Sequence, residues 1–117
     1  MVLVCLASFS TAHSSSEVWS ITDKKGRTIH IQAPFKRIIS LYGAHTENLF
    51  HLKLDPCIVG VSINDKIPEQ TAEKPKFSYH DDPEKFLAAQ PDLVLIRPMI
   101  DNGYPNLIRR LEQSGIT

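Results

Sequence analysis

The sixteen residues from Asp82 to Arg97, Asp-Pro-Glu-Lys-Phe-Leu-Ala-Ala-Gln-Pro-Asp-Leu-Val-Leu-Ile-Arg, leave this chain few folds to choose from. Asp82 is placed to cap a helix, because its carboxylate can accept the free N–H groups of the first turn. Pro83 suits the first helical position, where a missing N–H costs nothing. Glu84 lies at the positive end of the helix dipole. Phe86 and Leu87, with Ala89 or Gln90 a turn later, supply an apolar face. Pro91 ends the helix, since the residue before a proline avoids α geometry. Leu93-Val94-Leu95-Ile96 then runs without polar alternation, the pattern of a strand buried on both faces, as in a parallel sheet. A helix running into such a strand predicts an α/β layered domain.

The same alternation of helix and strand extends through 37–117. Ile38-Ile39-Ser40-Leu41 is expected as the first strand of the main sheet and Tyr42-Gly43 as a turn. Ala44 to Lys53 reads as a helix burying Leu49, Phe50, Leu52 and Leu54, with Glu47 in its first turn. Asp55-Pro56 breaks it, Cys57 to Ser62 is a second strand, and Lys76 to Tyr79 a short third. Asp101-Asn102-Gly103 reads as a loop, and Tyr104 to Ser114 as a last helix with Leu107, Ile108 and Leu111 on one side and Gly115 at its end. The expected fold is α/β: a three-layer αβα lobe on a central parallel sheet, with Ile38–Leu41, Ile58–Ser62 and Leu93–Ile96 as inner strands. Residues 17–36 read as a hairpin and linker, Trp19 to Thr22 and Arg27 to Ile31 alternating around the turn chemistry of Asp23-Lys24-Lys25-Gly26.

Residues 1–16 differ from everything after them. They carry no charged side chain, hold the run Val2-Leu3-Val4-Cys5-Leu6-Ala7, and end in small residues. This predicts a signal peptide cut between Ala12 and Ser16, and the apolar run is too short to span a bilayer. Elsewhere the 117 residues suffice for one modest domain, and a hydrophobic share of 42% is that of a globular chain. Thirteen basic residues balance thirteen acidic ones, without a basic run, so nucleic acid is not the expected partner. Two cysteines, Cys5 and Cys57, are too few for a cysteine-ligated zinc site, and Cys57 reads as a small buried hydrophobe.

In open α/β sheets, ligands collect outside the carboxyl ends of the strands. The residues expected there are Tyr42, Gly43 and His45; Ile63, Asn64 and Asp65; Tyr79 and His80; and Arg97, Pro98 and Met99. This rim has no glycine-rich phosphate loop, and no Ser-His-Asp or Cys-His signature stands in a recognisable setting. Tyr42, Tyr79 and Tyr104 can stack on a planar ligand or pack the rim. Arg97 can pair with an anionic group or bond to loop carbonyls. His45, His80 and Asp65 are candidate metal ligands by type, although their spacing follows no tight metal pattern, and hydrogen-bonding histidines are the alternative.

Several landmarks recur in a fixed order: Thr22-Asp23 with Gly26-Arg27, Lys36-Arg37-Ile38-Ile39-Ser40-Leu41, Thr46-Glu47-Asn48-Leu49-Phe50, Ile58-Val59-Gly60-Val61-Ser62, Pro83-Glu84 and Pro91-Asp92-Leu93-Val94-Leu95. In that order they resemble the N-terminal lobe of the substrate-binding proteins of ABC importers, in the branch that carries iron-siderophores, haem and vitamin B12. The resemblance covers about residues 20–117. It implies one lobe of a two-lobe protein, with ligand held between lobes and the C-terminal lobe outside this chain. It also implies a periplasmic or cell-surface location, and a permease and its ATPase as partners. There would be no chemistry and no cofactor beyond the iron or cobalt of the cargo. Glu84 matches the glutamate that docks into an arginine pocket of the permease; the alternative is that it only stabilises its helix. The ligand-binding residues implied are Tyr42, His45, Asn64, Asp65, Tyr79, His80 and Arg97. Where family members often have Ser-Pro-Ser-Ala, this chain has Tyr42-Gly43-Ala44-His45, so Ala44 replaces a capping serine at a cost of about 1 kcal/mol. The other readings are a fragment of an exported α/β enzyme with catalytic residues beyond Thr117, and a metal-ion-binding protein of the same transporter class.

Overall fold

The computed structural model describes residues 19–23, 25–31, 34–66 and 68–117. The expected signal peptide, 1–16, lies outside the described residues. The chain divides into two compact units between Pro34 and Phe35.

The first unit contains an antiparallel hairpin of β1 (Trp19–Thr22) and β2 (Thr28–Ile31), with Ser20 opposite His30 and Ile21 opposite Ile29. Its turn is organised by Asp23. One carboxylate oxygen accepts the N–H groups of Lys25 and Arg27 at 2.9 Å each, and the other accepts Nε–H of Arg27 at 2.6 Å. These bonds hold the Asp23 carboxyl below the usual aspartate range, the Arg27 backbone bond being the largest cause.

The second unit is an α/β lobe. Its elements are β3 (Ile38–Ser40), α1 (Gly43–His51), β4 (Ile58–Ser62), β5 (Lys76–Phe77), α2 (Pro83–Ala88), β6 (Leu93–Leu95), α3 (Pro98–Gly103) and α4 (Pro105–Gln113). The sheet has the order β5-β4-β3-β6, and every pairing in it is parallel. Alternate residues of a strand face opposite sides, and β3 sorts the core accordingly. Ile38 packs on one face with Leu49, Ile58 and Val61; Ile39 and Leu41 pack on the other with Phe77, Phe86, Ile100, Leu107 and Leu111. Helix α1 thus covers one face, and α2, α3 and α4 the other.

Several expectations need correction. Leu93–Leu95 is not an inner strand but the sheet's outermost one, and all three residues are only half-buried. Its outer side is met by Thr117: the N–H of Val94 donates to the Thr117 carbonyl at 2.8 Å, and the N–H of Thr117 to the Asp92 carbonyl at 3.4 Å. Residues 98–103, which include the expected loop Asp101-Asn102-Gly103, form α3. Pro98 presets its first turn, and Ile100, fully buried, binds it to the core; the turn-like Asp-Asn-Gly sequence is overridden by that anchor. Helix α1 buries Thr46 and Leu49, whereas Leu52 is 68% and Leu54 37% exposed. The reason lies at its C-terminus. Leu52, the C-cap residue, still bonds Asn48 as in a helix and lies off the Thr46–Leu49 face. Lys53 then adopts a left-handed φ of 60°, and the bonds Lys53 N–H to Phe50 and Leu54 N–H to Leu49 close a Schellman motif that takes Leu54 out of the helix. The N-cap of α1 is Tyr42, in extended conformation and without a side-chain cap, so Ala44 is not the capping position. Cys57 belongs to a short 3-10 turn, Asp55–Cys57, and a second, Glu69–Glu73, precedes β5.

The landmark residues Lys36-Arg37 and Pro91-Asp92 form a clasp between the starts of β3 and β6. The Asp92 carboxylate accepts the N–H groups of Lys36 and Arg37 at 2.8 and 2.9 Å. In return the Arg37 guanidinium donates to the carbonyls of Ala89 and Gln90 at 2.7 and 3.0 Å. Those carbonyls end α2, where Gln90 is left-handed (φ 54°) and Pro91 has no N–H with which to complete the cap. The helix itself starts as expected, the Asp82 carboxylate accepting the Glu84 N–H at 2.9 Å.

Gly60 sits in β4 directly under the Phe77 ring. A Cβ there would lie 2.4 Å from Phe77 Cε2, and the ring is confined by Phe86, 5.0 Å away between centroids. Gly60→Ala is expected to cost about 1–3 kcal/mol through overpacking, measurable as a lower urea midpoint. An unchanged midpoint would show that Phe77 does not rest on this strand.

Candidate functional site

Because β3, β4, β5 and β6 run parallel, their carboxyl ends share one edge of the sheet, and the segments that follow them carry the expected rim residues. Tyr42 follows β3 and is 37% exposed. Its ring meets the half-buried His45 edge-on, with centroids 5.2 Å apart at 80°. Arg97, exposed at the end of the neighbouring β6, places its guanidinium 4.9 Å from the centre of the same Tyr42 ring. That contact is a cation–π interaction. Three expected residues, from two segments distant in sequence, thus form one group.

A second group follows β5. Tyr79 and His80 lie 4.5 Å apart by centroid, and Tyr104, between α3 and α4, contacts both at 4.8 and 5.3 Å. Tyr79 and Tyr104 are half-buried and His80 is exposed. Tyr104, expected at the start of the last helix and not directly after a strand, thus joins the rim residues. The loop carrying this group is tied by Asp81, whose carboxylate accepts the Ser78 N–H at 2.8 Å and the Lys85 ammonium at 2.9 Å, while Ser78 Oγ accepts the His80 N–H at 3.1 Å. The Lys85 side-chain bond, then the Ser78 backbone bond, lowers the Asp81 carboxyl below its ordinary range.

The segment after β4 divides. Ile63 and Asn64 are exposed, whereas Asp65 is only 7% exposed and lies beneath the rim rather than on it. Its Oδ2 accepts from Thr46 Oγ1 at 2.6 Å. Among the described residues, no three His, Cys, Asp or Glu side chains are placed to share a metal ion, so His45, His80 and Asp65 are not gathered into one.

Glu84 stands apart from the rim, in the first turn of α2. Its side chain is 64% exposed, and one carboxylate oxygen accepts from Arg110 of α4 at 2.9 Å. Arg110 had no place in the sequence reading; no local pattern links it to a residue so far back.

What the arrangement can do is bind. Aromatic faces, a cation and imidazoles at a strand-end rim suit a planar or anionic small molecule.

No protein-family model matches the chain. It is 31% identical over 111 residues to the uncharacterized ABC transporter substrate-binding lipoprotein YvrC of Bacillus subtilis (strain 168), a match spanning 92% of this chain and 35% of that protein. This chain resembles one lobe of an ABC-importer substrate-binding protein. Solved structures agree. A possible iron-binding (periplasmic solute-binding) protein from Staphylococcus epidermidis ATCC 12228 superposes with a TM-score of 0.67 at 31% identity, over 73% of this chain and 34% of that one. The periplasmic vitamin B12 binding protein BtuF of Vibrio cholerae gives a TM-score of 0.60 at 33% identity, over 72% and 33%. The chain therefore spans about a third of the length of these relatives. All three are named for binding, none for catalysis. Among the described residues no helix is long and apolar enough to cross a membrane.

The Asp81 bonds carry a pH signature. A carboxyl whose folded-state pKa is depressed adds stability above its unfolded value of about 3.9, and this is lost as pH falls through the folded value. Asp81→Asn should therefore lower the melting temperature at neutral pH and narrow its difference from wild type below the ordinary aspartate range. A constant difference down to the most acid pH would remove the Lys85 and Ser78 bonds as its source.

Proposed function

We propose that this chain is part of an extracytoplasmic solute-binding protein that captures an iron-siderophore, haem or corrinoid and delivers it to an ABC permease with its ATPase. The observation that carries the reading is the rim itself: a strand-end edge bearing Tyr42 under Arg97 and the Tyr79–His80–Tyr104 group, in a lobe related in sequence to a substrate-binding lipoprotein. Tyr42, His45, Asn64, Tyr79, His80 and Arg97 are the residues assigned to the ligand. Flat aromatic faces suit the ring system of a haem or corrin, and Arg97 suits a propionate or siderophore carboxylate. The ligand is held without bond-making, so rings and charges suffice. One lobe encloses only part of a ligand's surface, and tight binding needs the opposing lobe.

The ligand class is tested by titrating the full-length protein with haemin, cyanocobalamin and a ferric trihydroxamate. One of these is expected to bind with micromolar or tighter affinity, about −8 kcal/mol or better, and Tyr42→Ala with Arg97→Ala to weaken it. Binding of none of the three, with a different compound co-purifying by mass spectrometry, would overturn the ligand class.

Glu84 is assigned to the permease. Its exposed carboxylate projects from the first turn of α2, with one oxygen on Arg110. In the full-length protein, Glu84→Ala should reduce stability by only about 0.3–1 kcal/mol and leave ligand affinity unchanged. Uptake should fall, because a permease arginine loses its charged partner, and Glu84→Gln should restore little. Normal uptake in Glu84→Ala, or a parallel loss of ligand binding, would return Glu84 to a purely helix-stabilising role.

A further inference from the structure

Beneath the Tyr42–His45 turn lies a fully enclosed polar cluster. Ser40, at the end of β3, and Thr46, in α1, have no exposed surface, and Asp65, after β4, is 7% exposed. The Thr46 hydroxyl stands at the centre, 2.6 Å from Asp65 Oδ2, 2.8 Å from Ser40 Oγ and 3.2 Å from the Tyr42 carbonyl. Ser40 Oγ also lies 3.2 Å from that carbonyl. A hydroxyl has one proton to give, and the shortest contact from Thr46 is to the carboxylate, the strongest acceptor of the three. Ser40 is then left to donate to Thr46 or to Tyr42. No described buried side-chain oxygen or nitrogen here lacks a partner.

Asp65 is itself anchored. Its N–H donates to the Ser62 carbonyl at 3.0 Å, and its own carbonyl accepts from Thr71 Oγ1 and Lys76 Nζ at 3.3 Å each. The turn above is fitted to the carboxylate: a Cβ on Gly43 would come within 3.1 Å of Asp65 Oδ1. This accounts for a glycine beside Tyr42 where φ imposes no such need, and it leaves a larger side chain room only if the carboxylate gives way.

We infer that Asp65, acting through Thr46 and Ser40, is a positioning residue that fixes the turn on which Tyr42 and His45 meet the ligand. The cluster joins the segments that follow β3 and β4 and touches the turn at the Tyr42 carbonyl, at the base of the ring that meets His45 edge-on and lies under Arg97. A carboxylate buried there costs free energy unless hydrogen-bonded; by taking the Thr46 proton, Asp65 leaves Ser40 as the hydroxyl that can donate to the Tyr42 carbonyl and hold the turn. The inference rests on the ligand-facing role given above to Tyr42 and His45, although the geometry of the turn can be read without ligand.

The test uses the full-length protein with ring-labelled tyrosine and histidine, observed by NMR, together with haemin titration by absorbance. In Thr46→Val, which keeps the shape and removes the hydroxyl, the Tyr42 and His45 ring shifts should move toward their free values. Haemin affinity should fall about tenfold or more. Thr46→Ser should restore both. Wild-type ring shifts in Thr46→Val, or equal losses in the Val and Ser variants, would overturn the inference in favour of simple packing. If Thr46→Val does not fold, Asp65→Asn is read in the same way, and unchanged ring shifts there overturn it equally. Collapsed ring shifts with undiminished haemin affinity would also overturn it. If the wild-type protein ignores haemin while the ring shifts respond as described, the positioning role stands and the haem reading falls.

Discussion

The clasp between Arg37 and Asp92 joins the starts of the two strands on which the lobe's layering depends. Each residue supplies what the other's segment lacks. Asp92 provides acceptors for backbone N–H groups entering β3, and Arg37 provides donors for carbonyls leaving α2. The second need arises because Pro91 stops the helix, so the Ala89 and Gln90 carbonyls have no following helical N–H to accept. With β3 and β6 in register from Ile38 opposite Leu93 onward, the alternation of Ile38 and Ile39 assigns each residue to its own helical layer. The motifs most useful for recognising the chain therefore serve the scaffold and not the ligand.

At the other end of the same strands the demands are different. The segments after parallel strands have no ladder to satisfy them, so their polar groups are met by side chains. Asp81 gathers the Ser78 N–H and Lys85, and Asp65 gathers Thr46. Asp65 lies beneath the turn that carries the exposed Tyr42, and Asp81 ties the loop that carries Tyr79 and His80. The outer surface is thus left to rings, an arginine and imidazoles, groups that can lose water to a planar ligand at low cost and gain directional contacts in return. Glu84 stays outside this arrangement, beside α4, where a protein partner can reach it without disturbing the rim.

Much of this was legible wherever the signal is local. Asp82 caps α2, Pro83 begins it, and Gly115 closes α4 with φ 80°, each for a reason contained within a few residues of chain. The parallel sheet followed from unbroken apolar runs separated by helices. Failures occurred where a local signal competes with a distant one. Asp101-Asn102-Gly103 has turn chemistry, yet the burial of Ile100 keeps it helical. Leu54 continues an apolar run, yet the left-handed Lys53 before it ends the helix and leaves Leu54 exposed.

The sequence alone determined the class of the lobe and which segments follow its parallel strands, because hydrophobic periodicity and capping are properties of short windows. Only the tertiary structure decided that Leu93–Leu95 lies at the edge of the sheet, that Asp65 sits under the rim, that Tyr104 joins Tyr79 and His80, and that Arg110 meets Glu84. Each of these is a contact between segments far apart in the chain. Residue type says what such a side chain can bond to; only the packing of strands and helices sets what comes within reach.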